Sequence, residues 1–161
     1  MKDINKVYET CSKKLADIGI QHGNIKDVSI NKRAKRRWGT CKRIGDIYSI
    51  EISSILLDDD VSDEATETTM IHELLHSCKG CFNHGNEWKR LANKVNKAYG
   101  YNVKRVTTSD EKGIAPEVVG KKHKIVCQKC GLVAWRMRDS KLTRHPELFR
   151  CRCGGNLVKE Y

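Results

Sequence analysis

No apolar run in the 161-residue chain approaches the roughly 18 residues of a membrane span. The opening residues, MKDINKVYETC, lack the uninterrupted apolar segment of a secretory signal. These two absences predict a cytoplasmic protein with no membrane partner. No internal repeat or low-complexity tract is present, which argues against a solenoid. Hydrophobic residues make up 39% and charged residues 32%, as expected for a globular chain with a modest core. Acidic residues are scarce in one region only. Residues 121–161 hold three, against eleven Lys and Arg. Of the net charge of +11, residues 1–70 contribute zero, 71–120 contribute +3 and 121–161 contribute +8. Such asymmetry suggests a polyanionic partner, most simply nucleic acid.

Eight cysteines are abundant for this length, and six are closely spaced. Cys78 and Cys81 form one C-x2-C, Cys127 and Cys130 another, and Cys151 and Cys153 a C-x-C. In a reducing compartment such spacing indicates metal before disulfides. Cys11 and Cys41 stand alone and read as small buried hydrophobes.

Ile4, Val7, Cys11, Leu15 and Ile18 recur at helical spacing and predict a helix over residues 3–18. Val28 and Ile30 alternate as in a strand. The segment from Trp38 to Ile52 reads as a β-hairpin turning at RIGD. Residues 55–61, with Asp58, Asp59 and Asp60, suggest a solvated loop. Ser62, Asp63 and Glu64 supply cap and first-turn chemistry for a helix running to about Cys78 and ended by Gly80. A further helix opens at Asn86, buries Trp88, Leu91, Ala92, Val95 and Tyr99, and ends at Gly100. Residues 107–121 read as a polar linker, followed by short strands and turns.

The most informative stretch is HELLHSCKGCFNH, residues 72–84. His72 and His76, four apart, share one helix face and can chelate one ion. Glu73 lies about 100 degrees around the helix. It is poorly placed as a third ligand but well placed as a base toward a water that zinc would acidify to a pKa of about 7. A third ligand is needed. The extended H-E-x-x-H-x-x-G-x-x-H pattern is excluded, because Lys79 and Phe82 occupy the glycine and histidine positions. His84 is favoured, with Glu87 as its competitor. A closed site of His72, His76, Cys78 and Cys81 is the alternative, but it would leave Glu73 without a role. Tyr48, Tyr99 and Arg37 are candidates to stabilise an oxyanion.

The two cysteine pairs at 127–130 and 151–153 bracket twenty residues and suit an all-thiolate structural zinc site. His145 or His123 could replace a thiolate of the C-x-C pair. Metal would supply the stability that a module of about 40 residues cannot draw from its core. Lys121, Lys122, Lys124, Arg136, Arg138, Lys141 and Arg144 are the leading candidates for phosphate contacts, with Trp135 and Phe149 interleaved. The run Lys32, Arg33, Lys35, Arg36 and Arg37 is a competing basic patch.

HELLH, then NHGNEW, then a basic segment ending CRCGGNL, resembles the SprT-like family of zinc metalloproteases. The RWGTC segment is also similar to a stretch in related small metal-dependent hydrolases, which generally lack the C-terminal module. The SprT-like resemblance implies an α+β, zincin-like protease core with a small β-hairpin or sheet, followed by a C-terminal zinc ribbon. It implies a core over residues 1–106, a linker over 107–121 and a ribbon over 122–161. It further implies a catalytic zinc on His72, His76 and His84 with Glu73 as general base, and a structural zinc on Cys127, Cys130, Cys151 and Cys153. The activity implied is peptide hydrolysis on protein substrates at or near DNA, bound without sequence specificity. The rivals are a non-enzymatic nucleic-acid-binding zinc protein and a hydrolase acting on something other than protein.

Overall fold

The computed structural model describes every residue except Glu117, Lys121 and Tyr161. The chain divides into two compact units, Met1–Gly113 and Ile114–Tyr161, so the division falls inside the polar segment 107–121. Both mix helices with a small three-stranded sheet, an α+β organisation. Among the described residues no helix is long and apolar enough to cross a membrane.

The first unit begins with α1 (Ile4–Asp17). Asp3 caps it, its carboxylate accepting from the Asn5 and Lys6 N–H groups at 2.9 and 3.4 Å. Ile4, Cys11 and Leu15 form its buried face. Three strands follow: β1 (Asn24–Asn31), β2 (Gly39–Ile44) and β3 (Ile47–Ser53). β2 and β3 form the expected hairpin, turning through Gly45 at φ 61°. β1 pairs parallel to β3, so the order is β1-β3-β2 and β2 is an edge strand. Tyr48, Ile50 and Ile52 alternate along β3 into the core.

Residues 55–61 depart from the solvated loop expected of them. Ser54–Leu57 form a 3-10 turn in which Leu56 and Leu57 are fully buried, and only Asp58, Asp59 and Asp60 are exposed. The two leucines outweigh the three aspartates because each side chain takes its own side of the turn.

α2 (Asp63–His76) starts on Ser62, whose hydroxyl accepts the Ala65 N–H at 3.1 Å. It is buried on nearly all sides, with Met70, Ile71, Leu74 and Leu75 wholly covered, which marks it as the central helix of the unit. It ends at His76, with Ser77 as its C-cap. α3 (Asn86–Tyr99) buries Trp88, Leu91, Ala92 and Val95 and stops at Gly100, φ 69°. Tyr99, at the end of that face, is half-buried. Its hydroxyl donates to the Lys14 carbonyl at 2.7 Å.

The chain after α3 folds back over α2 and is pinned in several places. Asn96 holds both polar groups of Val103, accepting its N–H at 2.7 Å and donating to its carbonyl at 3.0 Å. The Trp38 indole donates to the Thr107 carbonyl at 3.3 Å. Lys112 is 5% exposed, and its ammonium donates to Thr69 Oγ1 at 2.6 Å and to the Ala65 carbonyl at 3.2 Å.

In the second unit β4 (His123–Cys127) lies between β5 (Val133–Arg136) and β6 (Leu157–Lys159), all antiparallel. α4 (Lys141–Arg144) is a single turn held by a reciprocal Ser140–Thr143 cap. Ile114, Val119, Ile125 and Cys127 are its buried apolar residues, too few to stabilise about 40 residues unaided.

Burial pulls the Lys112 ammonium down from 10.5 to about 8. The unfolded chain therefore binds more protons than the folded one between pH 8 and 10.5, and stability gains from this residue as pH rises through that window. Its burial costs most below pH 8, at most about 3 kcal/mol. A Lys112→Met variant is expected to lose this contribution. Urea titrations at pH 7.5, 9 and 10.5 should show the stability difference between variant and wild type shrinking as pH rises.

Candidate metal centres

α2 carries His72 and His76 one turn apart on the same face, as their spacing requires. The third imidazole comes from the loop before α3. Asn83 accepts the Gly85 N–H at 3.1 Å, and this small turn presents His84 just ahead of the helix N-terminus at Gly85. One ring nitrogen from each of His72, His76 and His84 falls in a group whose members all lie within 4.8 Å of one another. The rings meet mostly edge-on, with centroids 4.5–5.0 Å apart.

Two backbone carbonyls set the tautomers. His72 Nδ1 lies 3.1 Å from the Lys104 carbonyl, and His76 Nδ1 lies 3.0 Å from the Cys81 carbonyl. A carbonyl only accepts, so both Nδ1 atoms carry the proton and both Nε2 atoms offer a lone pair. Outer hydrogen bonds of this kind orient imidazoles for a metal. His84 Nε2 sits 3.0 Å from His72 Nε2. Burial, together with the neighbouring imidazoles, holds His72 down at about 3; burial likewise lowers His76 and His84. All three imidazoles are therefore neutral at pH 7.

Trp88 closes the site from behind. It is 2% exposed, and its ring centroid lies 4.8, 5.9 and 4.7 Å from those of His72, His76 and His84. Its indole N–H is buried without a hydrogen-bond partner among the described residues. The sequence places Trp88 on the buried face of α3; its role as a wall to the histidines follows only from the angle between α2 and α3.

Glu73 is outside the histidine group and 6% exposed. Burial raises its carboxyl to about 7, and the N–H of Cys41 opposes that shift. It lies against β2. A Cβ added at Gly39 would stand 2.5–2.8 Å from Glu73 side-chain atoms, too close for any side chain. The glycine in RWGTC therefore admits the glutamate, a role that its place in the hairpin does not reveal.

The other sequence candidates separate. Glu87, the competitor of His84, is half-buried and forms a bidentate pair with Arg90 at 2.6 and 2.9 Å on the first turn of α3. Cys78 and Cys81 are buried but do not join the histidines. Cys78 Sγ donates to the Leu74 carbonyl at 3.8 Å and Cys81 Sγ to the Lys79 carbonyl at 3.6 Å. The contribution of Cys81 to the site is its carbonyl on His76. Arg37 lines a cleft with His72 and Glu73, whereas Tyr48 lines a separate hollow with Cys78 and Phe82.

In the second unit Cys127, Cys130, Cys151 and Cys153 come together, their sulfurs all within 4.8 Å of one another. Cys127 and Cys153 are 3.5 Å apart, Cys130 and Cys151 3.7 Å. The C-x-C pair reaches the group because the chain turns back at once: Gly154, φ 77°, donates to the Cys151 carbonyl at 2.8 Å. Gly155 has no space for a side chain, since a Cβ there would meet the Cys127 sulfur at 2.6 Å. The N–H groups of Cys130, and then of Lys129, pull the Cys127 thiol down to about 6. His123 faces Asp139 at 3.2 Å and His145 faces Glu147 at 3.3 Å, so neither replaces a thiolate.

The proposed phosphate-contacting residues vary in availability. Lys122, Arg136, Arg138, Lys141 and Arg144 are exposed, and Lys124 pairs with Glu160 at 2.7 Å. Lys121 lies outside the described residues. Trp135 and Phe149 are half-buried.

Both donor sets suit zinc: three neutral imidazoles in one, four sulfurs in the other. Purified protein is expected to hold two ions per chain, and a chelator to strip the three-nitrogen site first. His84→Ala should empty that site and Glu87→Ala should leave it filled. Metal analysis by mass spectrometry reads both, and the reverse pattern would exclude His84 as the third ligand.

No curated protein matches the chain. The SprT-like family model matches residues 5–109, a span that contains the three histidines, Glu73, Gly39 and Trp88. On that match, over well more than half of its length, the protein belongs to the SprT-like family.

Proposed function

We propose that the first unit is a zincin-type zinc peptidase, and that the second is a zinc ribbon that holds it near DNA. The observation that carries the first part is the convergence of three imidazoles, two of them with Nδ1 held by a backbone carbonyl and Nε2 left to face the others, beside one buried glutamate outside the group. A structural site would have no use for Glu73, and membership of the SprT-like family is consistent with a metallopeptidase.

His72, His76 and His84 would hold the ion. When bound, zinc polarises the peptide carbonyl and makes a water acidic near neutral pH. Glu73 takes the proton from the attacking water and returns it to the departing amide nitrogen. Burial raises the proton affinity of this carboxyl above that of an ordinary carboxylate, which suits it to accept a proton and pass it on. Gly39 and the Cys41 N–H fix where the carboxylate stands. Trp88 excludes water from the rear of the site.

Glu73→Gln is expected to keep two zinc ions and the fold but to lose about 10²–10⁴-fold in hydrolysis of a protein substrate. Gly39→Ala should also keep the metal while losing about 10²-fold, because the new methyl displaces the glutamate. Full turnover by either variant on a casein-type substrate would refute the assignment of the base.

The DNA part rests on charge. Residues 121–161 carry +8 and retain about +6 if four thiolates hold one zinc ion. Phosphate contacts release counterions, so affinity should fall steeply with salt and depend little on sequence. Replacing Arg136, Arg138, Lys141 and Arg144 with Gln in the full chain should flatten the plot of log affinity against log salt, by up to about 0.9 per lost contact on duplex DNA. An unchanged slope would move the DNA contacts elsewhere.

A further inference from the structure

We propose that the cleft beside Glu73 selects substrates bearing a peptide carboxylate next to the bond to be cut, and that Arg36, Arg37 and Arg105 are the residues that read it. This inference rests on the peptidase reading above and specifies its substrate class.

The cleft has a volume of about 230 Å³ and is lined by Gly39, His72, Glu73 and two basic segments. One segment, Arg36-Arg37-Trp38, leads into β2. The other, Lys104-Arg105-Val106, is the return loop after α3. Lys112 lines it as well, and Glu73 is the only acidic residue on its wall among the described residues.

The five cations are not equivalent. Lys104 is paired with Glu111, and the Lys112 ammonium is committed to Thr69 and Ala65. The guanidinium groups of Arg36, Arg37 and Arg105 make no hydrogen bond or ion pair among the described residues, and all three are exposed; Arg37 alone feels a carboxylate outside the cleft, that of Glu51. Both segments that carry them are anchored within the site. Lys104, one residue before Arg105, gives its carbonyl to His72. Gly39, two residues after Arg37, packs against Glu73. Three like charges gathered at one opening repel each other until an anion enters. Guanidinium forks match the planar geometry of a carboxylate.

Size favours a peptide over nucleic acid as the occupant. A volume of about 230 Å³ falls below the roughly 300–1,000 Å³ of sites that engulf drug-sized molecules. It suits an Asp or Glu side chain, or a chain terminus. The walls between the cations are Trp38, Val103 and Val106, which suit an extended peptide.

The test uses the full zinc-loaded chain carrying Glu73→Gln, so that peptides bind without turnover. Fluorescence anisotropy compares dye-labelled peptides of one scaffold: neutral with an amidated end, the same with an internal Asp-Glu pair, neutral with a free carboxyl end, and lysine-rich. The expected result is binding at least about tenfold tighter for one or both carboxylate-bearing peptides than for the neutral amide, weakening with salt. The second and third peptides separate side-chain from terminal carboxylate. Adding Arg36→Gln, Arg37→Gln and Arg105→Gln together should bring the ratio toward one with zinc content unchanged. Equal binding of all four peptides overturns the proposal, as does preference for the lysine-rich one. Displacement by a short single-stranded oligonucleotide, without discrimination among peptides, overturns it too and assigns the arginines to nucleic acid. Wild-type turnover of the same peptides is read separately. Selective binding without hydrolysis upholds the carboxylate preference and refutes the peptidase; hydrolysis without selectivity does the reverse.

Discussion

The first unit is organised around three imidazoles held in one another's van der Waals shell. Their ligand nitrogens lie within 4.8 Å of one another, and two of them 3.0 Å apart. Protonating any of the three would place a charge against neighbours that cannot answer it, which is why burial and mutual repulsion keep them neutral. The surrounding structure keeps that arrangement in place. α2 supplies two rings at fixed spacing, the Asn83 turn supplies the third, and Trp88 fills the space behind them.

The glutamate beside this cluster depends on a different constraint, the close approach of an edge strand to a helix. β2 can come near enough to α2 for its Cys41 N–H to reach the carboxylate only because residue 39 has no side chain. Glu73 is thereby buried outside the histidine group and without a cationic partner among the described residues. A carboxyl in that position keeps its proton to unusually high pH. Position and proton affinity arise together from one contact between sheet and helix.

Much of this was legible in the sequence where the signal is periodic or chemical. The helical spacing of Ile4, Cys11 and Leu15, the Ser62 cap and the Gly100 stop each correspond to an element of the fold. His72, His76 and His84 meet as spacing suggested, and the four cysteines of the second unit meet despite the shortened second pair, because Gly154 turns the chain at once. What stayed hidden depends on contacts distant in sequence. The carbonyls of Lys104 and Cys81 have no residue signature. Lys112 sits in a polar stretch with the composition of a linker, yet its ammonium lies between two turns of α2. The aspartates at 58–60 obscured the burial of Leu56 and Leu57 just before them.

The two carbonyls that hold His72 and His76 belong to different loops, one between α2 and α3 and the other after α3. Any ion gripping the far nitrogens of those rings pulls on both loops through the imidazoles. By linkage, whatever orders either loop must tighten the ion by the same factor that the ion orders the loop. The return loop is already clamped by Asn96 on both polar groups of Val103, so little of the binding free energy is spent on stiffening it. The loop bearing Cys81 has no such clamp among its described hydrogen bonds and holds His84 as well as the carbonyl on His76. An ion bound by these rings and the order of that loop would therefore be coupled, each favouring the other.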